Sequence, residues 1–201
     1  MIVRQHTPLA GRPYKTYKPL LRKDFNFRCA YCEINELSFG GMNSFTVDHF
    51  RPKKKFPELI SQYHNLYYAC RDCNNWKHDH WPEPALDKKG FQFADPCNTD
   101  IYGVHLREQE DGTLEYLTNS GRYTFEHLRL DREDLVDCRR ARKEALEDIP
   151  VVEKMIEEIA NTVAGLALPA RKRKQLNKQM GALDRNLQNL KRITGQTLPA
   201  R

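Results

Sequence analysis

The chain has 201 residues, a net charge of +6, a pI near 9.0 and a mean hydropathy of −0.77. With 39% hydrophobic and 30% charged residues it can bury a modest core beneath a heavily charged surface. No apolar run nears the roughly 18 residues of a membrane span, and the opening MIVRQHTPLAGRPYK lacks the apolar stretch of a secretory signal, so a membrane, secreted or fully disordered chain is disfavoured and a cytoplasmic one expected.

Residues 1–28 are rich in Pro and Lys and read as a basic N-terminal arm, extended over 1–20, with a short helix or turn at 21–28. Two C-x-x-C pairs follow, Cys29/Cys32 and Cys70/Cys73, with 37 residues between them. Two such pairs at this separation mark a four-thiolate tetrahedral zinc site, in which each short knuckle points both sulfurs at one ion. Disulfides compete with this reading, but a cytosolic chain keeps its thiols reduced. Cys97 and Cys138 have no partner spacing and read as free thiols. Between the pairs the chain reads as a turn at Gly40-Gly41, a short strand at Ser44–Val47, another turn and a short helix.

Residues 83–122 read as a connection of loops and short strands, at 101–107 and 114–118 around the Asp111-Gly112 turn. From Tyr123 onward the pattern is helical, giving a region over 123–201 whose apolar stripes read as intramolecular core, with partner docking as the alternative. Leu135, Cys138, Arg142 and Leu146 form one stripe, with Asp131 as N-cap. Pro150 is expected in the first turn of a new helix carrying Val152, Met155, Ile156, Ile159 and Val163. Gly165 and Pro169 interrupt the chain. A last amphipathic helix carries Leu176, Met180, Leu183, Leu187, Leu190 and Ile193, stopped by Gly195.

Charge is unevenly placed. Residues 1–28 carry +6, residues 29–167 carry −8, and residues 168–201 carry +8. Basic ends suit a polyanionic partner, most simply nucleic acid.

The chemistry-bearing residues lie between and just after the knuckles. Hydrolysis of a phosphodiester needs a base for water and a hard cation at the phosphate. His49 can be the base, because an imidazole with a pKa of about 6.5 is partly neutral at pH 7. Asp48 and Asn74 offer hard oxygen ligands. Adjacent residues of a regular strand face opposite ways, so Asp48 and His49 can share one phosphate only at a strand end or bulge. Arg51, Lys53, Lys54, Lys55 and Lys77 are candidate phosphate contacts.

Residues 29–82 resemble an HNH nuclease of the ββα-metal type. Cys29/Cys32, Asp48-His49, Asn65-Leu66, Cys70/Cys73, Asn74 and Lys77 occur in the family's order. Asn74 stands where His is commoner, as it does in phage junction-resolving endonucleases. The resemblance implies an α+β fold: a small zinc-stabilised ββα-metal core over 29–82 and a mainly helical C-terminal region. It implies His49 as general base, Asp48 and Asn74 holding one Mg²⁺ or Mn²⁺, and Asn65 orienting the base through loop hydrogen bonds. The strings CAYCE, DHFRPK and YHNLYYACRDCNNWK are similar to one subfamily. So are Asp95-Pro96 and the distal pattern of Thr124, Leu128, Leu130, Leu135 and Arg139. That subfamily is the HNH component of Septu-type and retron-linked antiphage systems, which acts on nucleic acid, here DNA, beside an SMC/ABC-like ATPase. Two alternatives remain open: a zinc-stabilised nucleic-acid-binding or adaptor module without catalysis, and an RNA-cleaving toxin nuclease.

Overall fold

The computed structural model describes residues 1–8 and 11–196. Leu9 and Ala10 of the expected arm, and residues 197–201 of the expected helical region, lie outside them. The fold is α+β, with two small antiparallel hairpins among helices. The chain divides into two compact units, Met1–Arg139 and Arg140–Arg201. No helix among the described residues is long and apolar enough to cross a membrane.

The first unit begins differently from the extended arm expected of 1–20. A 3₁₀ turn at Tyr14–Tyr17 leads into α1, Lys18–Asp24, with Pro19 in its first turn. Tyr17 and Leu21 are buried because they recur one helical turn apart and both reach the core. The segment before them is also tied down. The Ile2 amide donates to the Pro96 carbonyl at 2.7 Å. The Arg4 guanidinium lies 4.8 Å from the Tyr67 ring centre and donates to the Tyr63 carbonyl at 3.0 Å.

β1, Phe45–His49, pairs antiparallel with β2, Leu66–Cys70, in a register that sets Asp48 opposite Tyr67 and His49 opposite Leu66. Every residue of β2 is buried, which explains an apolar run without alternation. β2 ends at Cys70, whose sulfur caps α2, Arg71–Lys77, by accepting from the Cys73 amide at 3.4 Å. A short α3, Pro84–Asp87, follows. The strand expected at 101–107 is instead a π turn over Ile101–His105 and then β3, Leu106–Glu108, which pairs with β4, Leu114–Tyr116.

α4, Asn119–Leu128, starts before the expected Tyr123 because Thr118 caps it, accepting from the Gly121 amide at 3.0 Å. A Cβ on Gly121 would sit 2.0 Å from the His105 carbonyl oxygen, so only glycine admits this approach. The distal pattern is structural. Thr124 accepts from the Ala94 amide at 2.7 Å; Leu128, Leu130 and Leu135 are fully buried; Arg139 donates to the Gly112 and Leu130 carbonyls.

α5, Glu133–Gly165, runs unbroken through Pro150, contrary to the expected new start there. Proline removes one intrahelical bond, and the carbonyl it frees belongs to Leu146, which is half exposed and open to water. α6, Ala170–Thr194, ends at Gly195 in a left-handed conformation, as expected. The second unit is built on Ala145, Ile149, Val152, Leu187 and Leu190.

Candidate nuclease site

Cys29, Cys32, Cys70 and Cys73 come together in the first unit. All four are buried, and their sulfurs lie within 4.8 Å of one another. The Cys32 and Cys70 sulfurs are 3.8 Å apart, and all four thiols are free. A tetrahedral zinc with bonds of about 2.3 Å sets its sulfurs about 3.8 Å apart, so the cluster fits zinc and is too open for a disulfide. Burial, then hydrogen bonds from the other three, push the Cys32 thiol well above the usual range. A cation would reverse that preference. The Arg132 guanidinium serves the same end. It is partly buried near Cys73, and its Nη1 donates to the Leu128 and Arg129 carbonyls at 2.7 and 3.0 Å, so its charge is held where a thiolate cluster would be neutralised.

The requirement set by the strand geometry is met at a strand end. His49 is the last residue of β1, so its neighbour Asp48 is not forced to the opposite surface. Asp48, His49 and Asn74 line one cavity of about 390 Å³, together with Tyr14, Thr46, Lys53, Lys54, His78 and Asp79. α2 delivers Asn74 from the position directly after Cys73 of the second knuckle. The zinc cluster therefore sits at the joint that sets β2 against α2.

His49 is held by two contacts that the sequence does not advertise. Its Nε2 lies 3.0 Å from the Ile60 carbonyl oxygen, and its ring meets the Tyr14 ring at 4.6 Å. A carbonyl only accepts, so Nε2 carries the hydrogen and Nδ1 is left as the basic atom. Burial lowers the pKa of His49, against the raising effects of Ile60 and Asp48. Asn65 pins the loop that presents Ile60. It accepts from the Arg51 amide at 2.8 Å and donates to the Arg51 and Leu59 carbonyls at 3.0 and 3.4 Å.

Asp48 is buried, and its carboxylate accepts from the Tyr31 hydroxyl and from Lys77. Lys77 corrects an expectation. It is fully buried, with Nζ 3.1 Å from Asp48 Oδ2 and 2.7 Å from the His49 carbonyl oxygen, so it cannot meet nucleic acid. Its place follows from helix spacing, because it lies four residues after the buried Cys73 and shares that face. Tyr31 lies inside the first knuckle, between its two cysteines. Sequence reasoning missed it, and that position is the one signal that could have found it. Lys53 and Lys54 rim the cavity, whereas Arg51 turns away, 5.7 Å from the Trp81 ring centre, and Lys55 donates to the Trp81 carbonyl at 3.4 Å.

The arrangement sets an imidazole, two oxygen donors and two rim lysines around one cavity. Residues 29–80 match the HNH endonuclease family, so the class that this segment defines is an HNH endonuclease domain. Two curated relatives carry the name Septu protein PtuB. The one from Bacillus thuringiensis is 36% identical over 81 residues, covering 38% of this chain and 29% of the relative. The one from Bacillus mycoides (strain KBAB4) is 28% identical over 160 residues, covering 63% of this chain and 52% of the relative. The chain thus spans about half or less of the length of these relatives.

Proposed function

We propose that this chain is a divalent-cation-dependent endonuclease that cuts DNA, working in the cytoplasm with an SMC/ABC-like ATPase as the effector of a Septu-type or retron-linked antiphage system. The convergence of Asp48, His49 and Asn74 on one cavity carries the chemical part of this reading. The likeness to Septu protein PtuB supports the defence role.

Asp48 and Asn74 would hold Mg²⁺ or Mn²⁺, and the bound ion would supply charge neutralisation at the scissile phosphate. Two protein oxygens suit a cation that takes its remaining ligands from water and phosphate. His49 Nδ1 removes the proton from the attacking water, and its burial keeps the imidazole neutral at pH 7. The Ile60 carbonyl fixes the tautomer, and Asn65 fixes the loop that holds Ile60. Lys53 and Lys54 draw the DNA backbone to the rim without reading sequence. Val151 and Met155, one helical turn apart on α5 and both exposed, offer apolar surface for the ATPase.

The test incubates supercoiled plasmid and labelled RNA with the full chain and its ATPase, in Mg²⁺, Mn²⁺ or EDTA. Plasmid nicking in either cation and none in EDTA is expected. Cut RNA beside intact plasmid would make the chain a ribonuclease. Both substrates left intact would leave a zinc-stabilised binding module.

A further inference from the structure

The charges around the cavity do not favour a cation arriving alone. The cavity wall holds two carboxylates, Asp48 and Asp79. Asp79 Oδ2 is paired with Lys54 Nζ at 2.5 Å. Asp48 is paired with Lys77 at 3.1 Å, and its carboxylate also accepts from Tyr31. Lys53 adds a further positive charge at the rim. Asn74 and a neutral His49 add none. The local balance is two carboxylates against three ammonium groups.

Lys54 is exposed and can swing aside, but Lys77 cannot. Its side chain is fully buried, its ammonium is anchored on the His49 carbonyl at 2.7 Å, and it stands 5.5 Å from the Phe93 ring centre. A buried ion pair is costly to split, because each partner would be left unpaired out of water. The carboxylate meant for the cation is therefore already neutralised by a fixed partner.

We propose that the cation and the phosphodiester bind this site together: Lys77 cancels the charge of Asp48, so the protein alone holds Mg²⁺ or Mn²⁺ weakly, and the phosphate supplies the missing negative charge. This rests on the reading of Asp48 and Asn74 as the residues that hold the cation. Lys77 is a positioning residue that acts through Asp48, not a group that touches the substrate. Linkage makes the effect reciprocal, so the cation strengthens DNA binding by the same factor. The consequence is a nuclease whose cation site completes itself only on nucleic acid.

The test measures Mn²⁺ binding by electron paramagnetic resonance to the zinc-loaded full-length His49→Ala protein, which holds the site without turning over DNA. It is run with and without a DNA duplex. Asp48→Asn in the same background subtracts Mn²⁺ held by the duplex itself. The duplex is expected to tighten Mn²⁺ binding by at least about tenfold. Adding Lys77→Met is expected to tighten binding to the DNA-free protein by at least about tenfold, because one positive charge is gone. Tyr31→Phe keeps the ion pair and is expected to give no such gain. A purely structural Lys77 would instead weaken binding on substitution. Equal Mn²⁺ affinity with and without duplex overturns the inference and leaves the site reading intact. Absence of Mn²⁺ binding in every state overturns the site reading itself. Should Lys77→Met fail to retain zinc, the duplex comparison alone decides.

Discussion

The two units of this chain are held by different physics. Met1–Arg139 is built from short, irregular elements, and its interior is crowded with polar groups: Asp24, Glu36, Asp48, Asn65, Lys77 and Arg139 are all buried. Each has a partner. Glu36 accepts from Arg22 at 2.9 Å and from the Tyr68 hydroxyl at 2.6 Å, and Asp24 accepts from the Tyr63 hydroxyl at 2.7 Å. Arg140–Arg201 is the reverse: long helix, five buried apolar side chains, and among the described residues only Thr194 as a buried polar one. Buried polar networks fix geometry where chemistry needs it, and helix periodicity suffices where surface alone is needed.

That contrast is sharpest with respect to metal. Structural zinc contributes apparent binding free energies of about 10–16 kcal/mol to small domains. Chelation, or Cys70→Ser, is therefore expected to unfold the first unit and abolish its near-ultraviolet aromatic circular dichroism. Much of the helical far-ultraviolet signal of the second unit is expected to remain. Parallel loss of both signals would show that the two units do not differ in this way.

A core substitution measures the same difference in smaller steps. Leu128 is fully buried in the large cluster, whereas Leu187 is 9% exposed in a cluster of five. Leucine-to-alanine changes cost about 2–5 kcal/mol, more where the site cannot collapse. Leu128→Ala is expected near the upper end and Leu187→Ala near the lower, read by chemical denaturation. The opposite order would break the comparison.

The pH response is smaller and belongs to the first unit alone. Burial sets the folded pKa of His49 below the usual imidazole value of about 6.5. A depressed imidazole favours the neutral form in the fold, so stability from this group falls as pH drops below about 6.5. The basic form of Nδ1 persists to lower pH for the same reason. The acidic limb of the cleavage profile is expected to have its midpoint below 6.5, measured at saturating cation. A midpoint above that value would contradict the buried environment.

The two units were also legible to different degrees. The zinc cysteines and the Asp48-His49 pair stand out because their chemistry constrains residue type and spacing at once. The stripe from Leu176 to Ile193 is legible because helix periodicity is a local property. Pro150 misleads because the cost of its missing bond depends on whether water reaches Leu146, which no local pattern encodes. Lys77 misleads because its charge suggests surface, and only its tertiary partners Asp48 and His49 explain its burial. The Ile60 carbonyl is invisible, since any residue could supply it. The distal pattern from Thr124 to Arg139 was recognisable as a string, but its role as a clamp on the first unit emerges only from its contacts.

The most direct measurement is the plasmid cleavage rate of His49→Ala beside the unaltered chain, both zinc-loaded and equally stable to heat. A positioned base contributes about 10²–10⁴-fold. The account requires a loss of that size with zinc content and melting temperature unchanged, and nicking at the unaltered rate would contradict it.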